Sequence, residues 1–205
     1  VLRYAINQGQ DFEINMSGEK IGDYGFAVKK GTHADLITGF NKALKELRNN
    51  GGYDAILNKY IKTETEKDIK PVKSDYRIVS DSLFAPFEFQ KEGSKSYDGF
   101  DMDLARAIGK QMGYKVEIVS MGFDALIPAL NSGNIDVVAA GMSINEERQK
   151  AVTFSEPYYT SGLIVMVNKD NNEVKSVKDL EGKRIACQIG TTGEKNARNV
   201  ANAKV

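Results

Sequence analysis

From Tyr76 onward, short apolar runs alternate with stretches whose apolar residues recur every three to four positions. This alternation of period two and period 3.6 predicts strands and helices in turn, the α/β class. Residues 76–80 read as a strand, and residues 100–112 as a helix with Leu104, Ile108 and Met112 on one face. Residues 115–120 read as a second strand, 123–131 as a short helix, and 135–140 as a buried strand between Gly133 and Gly141. A polar helical turn at 145–151, a strand at 161–168, a short helix at 177–180 and a buried strand at 184–188 follow. That last strand carries Cys187, read as a small hydrophobe, and runs into Gly190-Thr191-Thr192-Gly193, with a helix from about Glu194.

The first 62 residues have a different texture. Residues 1–7 look like the tail of a helix, and 13–16 and 24–29 like strands. Residues 34–48 form a long amphipathic helix carrying Leu36, Phe40, Leu44 and Leu47, which Gly51-Gly52 stops. A second helix covers 53–60. Residues 63–75 are charged, contain Pro71 and have few aliphatic side chains, the composition of a solvated linker.

Composition narrows the function classes. With 28 Lys+Arg against 28 Asp+Glu the formal charge is zero, which argues against nucleic acid or anionic lipid as a partner. The longest uninterrupted apolar run, 163–167, is far shorter than the roughly 18 residues of a membrane span. No leader pattern opens the chain, so any export signal is expected to be absent or removed. A single Cys187 allows no internal disulfide, and the lone His33 makes zinc sites and catalytic triads poor readings. Asp101 and Asp103, two apart at a helix start, read as partners of the helix dipole rather than as an acid–base pair.

Five motifs in order resemble the polar amino-acid-binding proteins of ABC importers (solute-binding protein family 3), most closely the glutamine-binding members. They are Val79-Ser80-Asp81-Ser82-Leu83-Phe84-Ala85-Pro86-Phe87-Glu88-Phe89, Gly99-Phe100-Asp101-Met102-Asp103-Leu104, Phe123-Asp124-Ala125-Leu126-Ile127-Pro128-Ala129-Leu130, Ala140-Gly141-Met142-Ser143-Ile144-Asn145-Glu146-Glu147-Arg148 and Phe154-Ser155-Glu156-Pro157-Tyr158-Tyr159. Residues 24–31 and 44–54 resemble the end of that family, so the family-like C-terminus precedes the family-like N-terminus. A circularly permuted domain or a fragment straddling two tandem domains would give this order. The permutation is favoured, because each piece alone would leave half a core unburied. About 30 residues of the family pattern, one strand–helix–strand unit with a strand-end Asp, have no counterpart between Val205 and Val1.

The resemblance implies a two-lobed periplasmic-binding-protein-like fold (type II) with two hinge strands and a ligand cleft between lobes. Lobe one would comprise 32–62 and 76–160, lobe two 1–23 and 170–205, and the hinge strands 24–31 and 161–169. It implies extracytoplasmic binding of a free amino acid, glutamine first, by hinge closure, for delivery to a membrane ABC permease. It implies no cofactor, no metal and no catalysis. Arginine or another basic amino acid, a sensory or engineered binding module, and a dehydratase-like enzyme on the same fold are the alternatives.

The ligand's chemistry indicates the residue types required. An amino acid is a zwitterion, and Arg148 offers its carboxylate a planar fork of N–H donors. The resemblance gives Arg148 that role, adds the Ser143 N–H and hydroxyl, and turns the Gly141 carbonyl toward the ammonium. Asp81 at a strand end would accept from the ligand's side chain, and Phe84 and Phe123 would wall its methylenes. Thr191 and Thr192 in the Gly/Thr turn would meet the carboxylate from the other lobe, and Gln188 would bear on specificity. Taken alone, Asp81 also reads as a turn or cap residue, the two phenylalanines as core, and Arg148 as a surface arginine.

Overall fold

The computed structural model describes residues 12–13, 20–62, 74–91 and 93–205. The chain divides into two compact units: Asp23–Tyr159, and Val1–Gly22 with Thr160–Val205.

The larger unit is built on five strands: β1 (Ala27–Lys29), β2 (Ser74–Ser80), β3 (Lys115–Ser120), β4 (Val137–Val138) and β5 (Val152–Phe154). Their order across the sheet is β5-β1-β4-β2-β3. β2 runs parallel to both β3 and β4, whereas β1 is antiparallel to β4 and to β5. Alternation along the inner strands sorts the core: Val28, Ile78 and Val137 pack with Leu36, Phe40, Leu44, Leu104 and Ile108 on one face. Ala27, Val79 and Val138 pack with Leu126, Leu130, Ile135 and Met142 on the other. A strand buried on both sides must be apolar at every position, which is why these segments read as continuous runs.

Helix α1 (Ala34–Asn49) and α2 (Gly52–Leu57), the latter continued by a wider turn at Asn58–Lys62, cover the first face with α3 (Phe100–Met112). α4 (Leu126–Ser132) covers the second, and α5 (Glu146–Ala151) leads into β5. The connection from β2 through α3 to β3 moves outward in the sheet. The connection from β3 through α4 returns across β2 to β4, with its helix on the opposite face. The strand order therefore reverses beside the carboxyl end of β2, the topological switch point where open α/β sheets bind ligands.

Residues 23–62 are integral to this unit. Lys59 and the Tyr60 hydroxyl reach Asp103 Oδ2 at 2.9 and 2.7 Å. The Arg48 guanidinium donates to the Pro157 carbonyl at 2.9 Å, the Tyr53 hydroxyl to that of Tyr158, and Asn41 Oδ1 accepts the Glu156 N–H at 2.9 Å.

The smaller unit carries short pairings: Phe12–Glu13 with Val167–Asn168, Lys20–Tyr24 with Tyr159–Gly162, and a bridge from Arg184 to Lys204. Its helix α6 spans Thr192–Arg198. Among its described residues only Val174, Leu180 and Ala197 are buried.

Several expectations change. The first expected hinge strand, 24–31, is instead the inner strand β1, paired on both edges, and the units divide after Gly22 and Tyr159. The strand expected over 161–168 is interrupted, with Ile164 and Met166 exposed. The segment 184–188 has a single bridge rather than a buried strand. Its polar neighbours Lys183, Arg184 and Gln188 are exposed, and so is Cys187. The expected helix tail at 1–7 and most of the linker at 63–75 lie outside the described residues.

Leu44→Ala should cost about 2–5 kcal/mol in urea denaturation, and exposed Lys45→Ala within about 0.5 kcal/mol. Equal, small effects would detach α1 from the core.

Candidate functional site

The parallel strands β2, β3 and β4 end at Ser80, Ser120 and Val138, and the expected contact residues of the larger unit follow these ends. Asp81 is 3% exposed; its carbonyl and the Ser82 hydroxyl both meet the Ser120 hydroxyl, at 3.4 and 2.5 Å. Leu83, 83% exposed, and half-buried Phe84 form the short strand that pairs with Glu88–Gln90. Phe84 stacks on Phe87, with ring centroids 5.5 Å apart.

Gly141 begins the loop after β4 with φ +50°. A Cβ there would lie 2.8 Å from the Phe84 ring and 3.4 Å from that of Tyr24. Both the left-handed backbone and the close approach call for glycine. The loop then runs along residues 23–25: the Gly25 N–H donates to Met142 O at 3.3 Å, the Ile144 N–H to Asp23 O at 2.8 Å, and Ser143 bridges Tyr24. Asn145 caps α5, accepting the Arg148 N–H at 2.9 Å.

That cap sets where Arg148 emerges. Its Nη1 donates to the Ser143 carbonyl at 2.9 Å, and its Cζ lies 5.2 Å from the centroid of the half-buried Phe123 ring. At 9% exposure the guanidinium is buried for a cation, and burial lowers its pKa from the ordinary arginine value, against Glu147. The structure thus brings Phe84 to Gly141, and Ser143 and Phe123 to Arg148. One short loop, 141–148, joins the two groups.

The signal that sequence reasoning missed lies beneath this loop. Asp101 and Asp103 sit about 200° apart around α3, so they face opposite ways. Asp103 turns outward to Lys59, Tyr60 and Arg106, whereas Asp101 is fully buried. Its Oδ2 accepts the Gly141 N–H at 2.7 Å and the Tyr158 hydroxyl at 2.6 Å. Glu88 is also fully buried; neither of its carboxyl oxygens, nor Asp101 Oδ1, has a hydrogen-bond partner among the described residues. Burial raises the pKa of both acids. The nearby Asp101 and Asp81 add to the effect on Glu88, while the bonds from Tyr158 and Gly141 oppose it on Asp101.

In the smaller unit, the Thr191 hydroxyl donates to Gln188 O at 2.7 Å and accepts the Glu194 N–H at 3.1 Å. Glu194 in turn takes the Gly190 N–H at 2.6 Å. These bonds engage the Gly190 N–H of the turn and the hydroxyl of the threonine expected to meet a ligand. Thr192 opens α6 half-buried, and Gln188 is exposed.

An open groove of about 410 Å³ lies along Ile144, Gln149, Val152, Phe154 and Pro157. Thr153 and Ser155 also line it, and none of the expected contact residues does. Among the described residues there is no cluster of His, Cys, Asp or Glu that could hold a metal, and no helix long and apolar enough to cross a membrane.

The larger unit is thus a doubly wound α/β unit with a buried arginine, half-buried phenylalanines and a glycine loop at its switch point, the place where open α/β sheets hold ligands. Residues 76–203 match the family of bacterial extracellular solute-binding proteins, family 3, and the chain belongs to that family. A probable histidine-binding protein of Campylobacter jejuni subsp. jejuni serotype O:2 is 41% identical over 122 residues, covering 60% of this chain and 47% of that one. An ancestral arginine-binding protein bound to arginine superposes with a TM-score of 0.62 at 47% identity, over 63% of this chain and 58% of the other. A second structure, of an ancestral arginine-binding protein bound to glutamine, gives a TM-score of 0.59 at 44% identity, over 67% and 60% of the two chains. The chain spans about half the length of the curated relatives it matches.

Gly141→Ala should destabilise the protein by about 1–3 kcal/mol in thermal or urea unfolding, through positive φ and the displaced Phe84 ring. An unchanged midpoint would show that the loop does not need this geometry.

The buried acids set a pH profile. A carboxyl whose pKa is raised on folding keeps its proton in the native state after the unfolded chain has lost it, so stability falls as pH rises. For Asp101 the fall runs from the ordinary carboxyl range to about 7. Wild-type stability should drop across that window, and Glu88→Gln should flatten the drop; a wild-type profile that rises there would contradict the burial argument.

Proposed function

We propose that this chain binds a polar amino acid with a cationic or amide side chain, arginine ahead of glutamine, through the strand-end site of its larger unit. The observation that carries this reading is Arg148, buried beside the Phe123 ring and seated on the Ser143 carbonyl at the switch point. There a guanidinium fork meets an α-carboxylate with charge-assisted bonds in a partly desolvated setting. Phe84 and Phe123 line the methylenes, and the Gly141 carbonyl faces the ammonium. Asp81 is the acceptor for the side chain. A carboxylate serves a guanidinium better than an amide, and arginine is named for one similar structure and histidine for one relative. Glutamine keeps its place because it occupies another such structure.

The wider role is capture outside the cytoplasm and delivery to an ABC permease. Its support is family membership. The rotated order is read as a permutation, supported by the insertion of β1 between β4 and β5 of the same sheet. An enzymatic reading built on a histidine base has little support: the one histidine, His33, precedes α1 in an exposed turn.

Calorimetric titration of the ligand-stripped chain with L-arginine and L-glutamine tests this. Saturable binding is expected, and Arg148→Ala should weaken it by about 2–5 kcal/mol, on the order of 30- to 4,000-fold, because the ligand carboxylate is then desolvated without a partner. Wild-type affinity in the variant would move the site elsewhere.

A further inference from the structure

We propose that Asp101 is a positioning residue for ligand binding, acting through the Gly141 peptide to hold the 141–148 loop that carries Arg148. The inference rests on the amino-acid-binding reading above and adds to it a buried residue that would not touch the ligand.

Asp101 is held from both sides. Its own N–H donates to the Phe87 carbonyl at 2.9 Å, and the Phe100 N–H to that of Pro86, so the first turn of α3 is seated on residues 86–87. Gly99 makes this seat possible: a Cβ there, at φ +133°, would fall on the backbone of Phe87 and Glu88. From this fixed base the side chain crosses to the end of β4 and takes the Gly141 N–H and the Tyr158 hydroxyl on one oxygen. The N–H bond sets the peptide entering Gly141, and hence the direction in which residues 141–143 leave the sheet. Met142 and Ile144 fix the other end of that stretch against residues 23–25, and the Ser143 carbonyl then receives Arg148. The start of a 13-residue helix, like the two donors, favours negative charge on this carboxyl.

Glu88 lies beside this anchor without hydrogen bonding to the loop peptide. It is buried beside Asp101 with neither oxygen bonded among the described residues, and the groups acting on it are Asp101 and Asp81. Tyr158 faces Asp101, Glu88 and Tyr24. Asp101, with two donors aimed at it, loses its proton at about pH 7, whereas burial and the neighbouring acids hold the Glu88 carboxyl well above the ordinary range.

The test uses the full chain with L-arginine as probe. Asp101→Asn, which keeps shape and removes charge, should weaken L-arginine by about tenfold or more and speed hydrogen exchange at the Gly141 amide. Tyr158→Phe removes the other bond to the same oxygen; it should lower the melting temperature yet bind within about threefold of wild type. Glu88→Gln should bind like wild type. Asp101→Asn binding L-arginine like wild type would overturn the proposal. So would Tyr158→Phe losing as much affinity as Asp101→Asn, because core stability would then explain both. If Asp101→Asn does not fold, the wild type decides: the Gly141 amide resonance should shift on saturation with L-arginine, and an unmoved resonance overturns the proposal. Absence of any heat from wild type with L-arginine or L-glutamine strikes the amino-acid-binding reading and this inference with it. Wild-type binding with an unaffected Asp101→Asn strikes the inference alone.

Discussion

The larger unit depends on the insertion of β1 between β4 and β5. Without Ala27–Lys29 the end of β4 would be an edge, with its backbone groups unpaired and the apolar faces of Val137 and Val138 partly open. With it, the sheet is buried on both faces, and the loop after β4 has residues 23–25 to lie against. α1 and α2 extend the same dependence, because Arg48, Tyr53 and Asn41 hold residues 156–158. The segment that comes first in the chain thus supports a site whose residues come from the middle.

Much of the unit was legible as pattern. Residues 100–112 and 115–120 appear with the expected bounds because a 3.6-residue stripe and a buried strand leave strong signals. The turn signals were sound where one residue decides them, as with Asn145 capping α5. Residues 24–31 were misjudged because a short apolar strand looks the same as a crossing segment and as an inner strand; only its partners distinguish them. Residues 184–188 carry an Ile-Ala-Cys core that reads as buried, yet the flanking Lys183, Arg184 and Gln188 are exposed and one bridge is the only pairing there among the described residues.

The residues at the strand ends of the larger unit were singled out through their motifs, whereas the burial of the two acids was not foreseen. Asp101 fits the rule that acids favour helix starts, and that rule hid its position on the apolar stripe with Leu104, Ala105 and Ile108. A carboxylate at a stripe position is the signal that could have found it. Glu88, between Phe87 and Phe89, alternates like a solvent-facing residue, and only the approach of α3 through Gly99 encloses it. Thr191, read from the sequence as a ligand contact, has a second role in capping its own helix.

Hydrogen–deuterium exchange of the full chain with and without saturating L-arginine tests the central claim most directly, because it reports where the ligand sits without altering a residue. The account expects protection concentrated in peptides covering residues 80–84, 120–124 and 141–148. Protection confined to the groove at residues 149–157, with these segments unchanged, would contradict it.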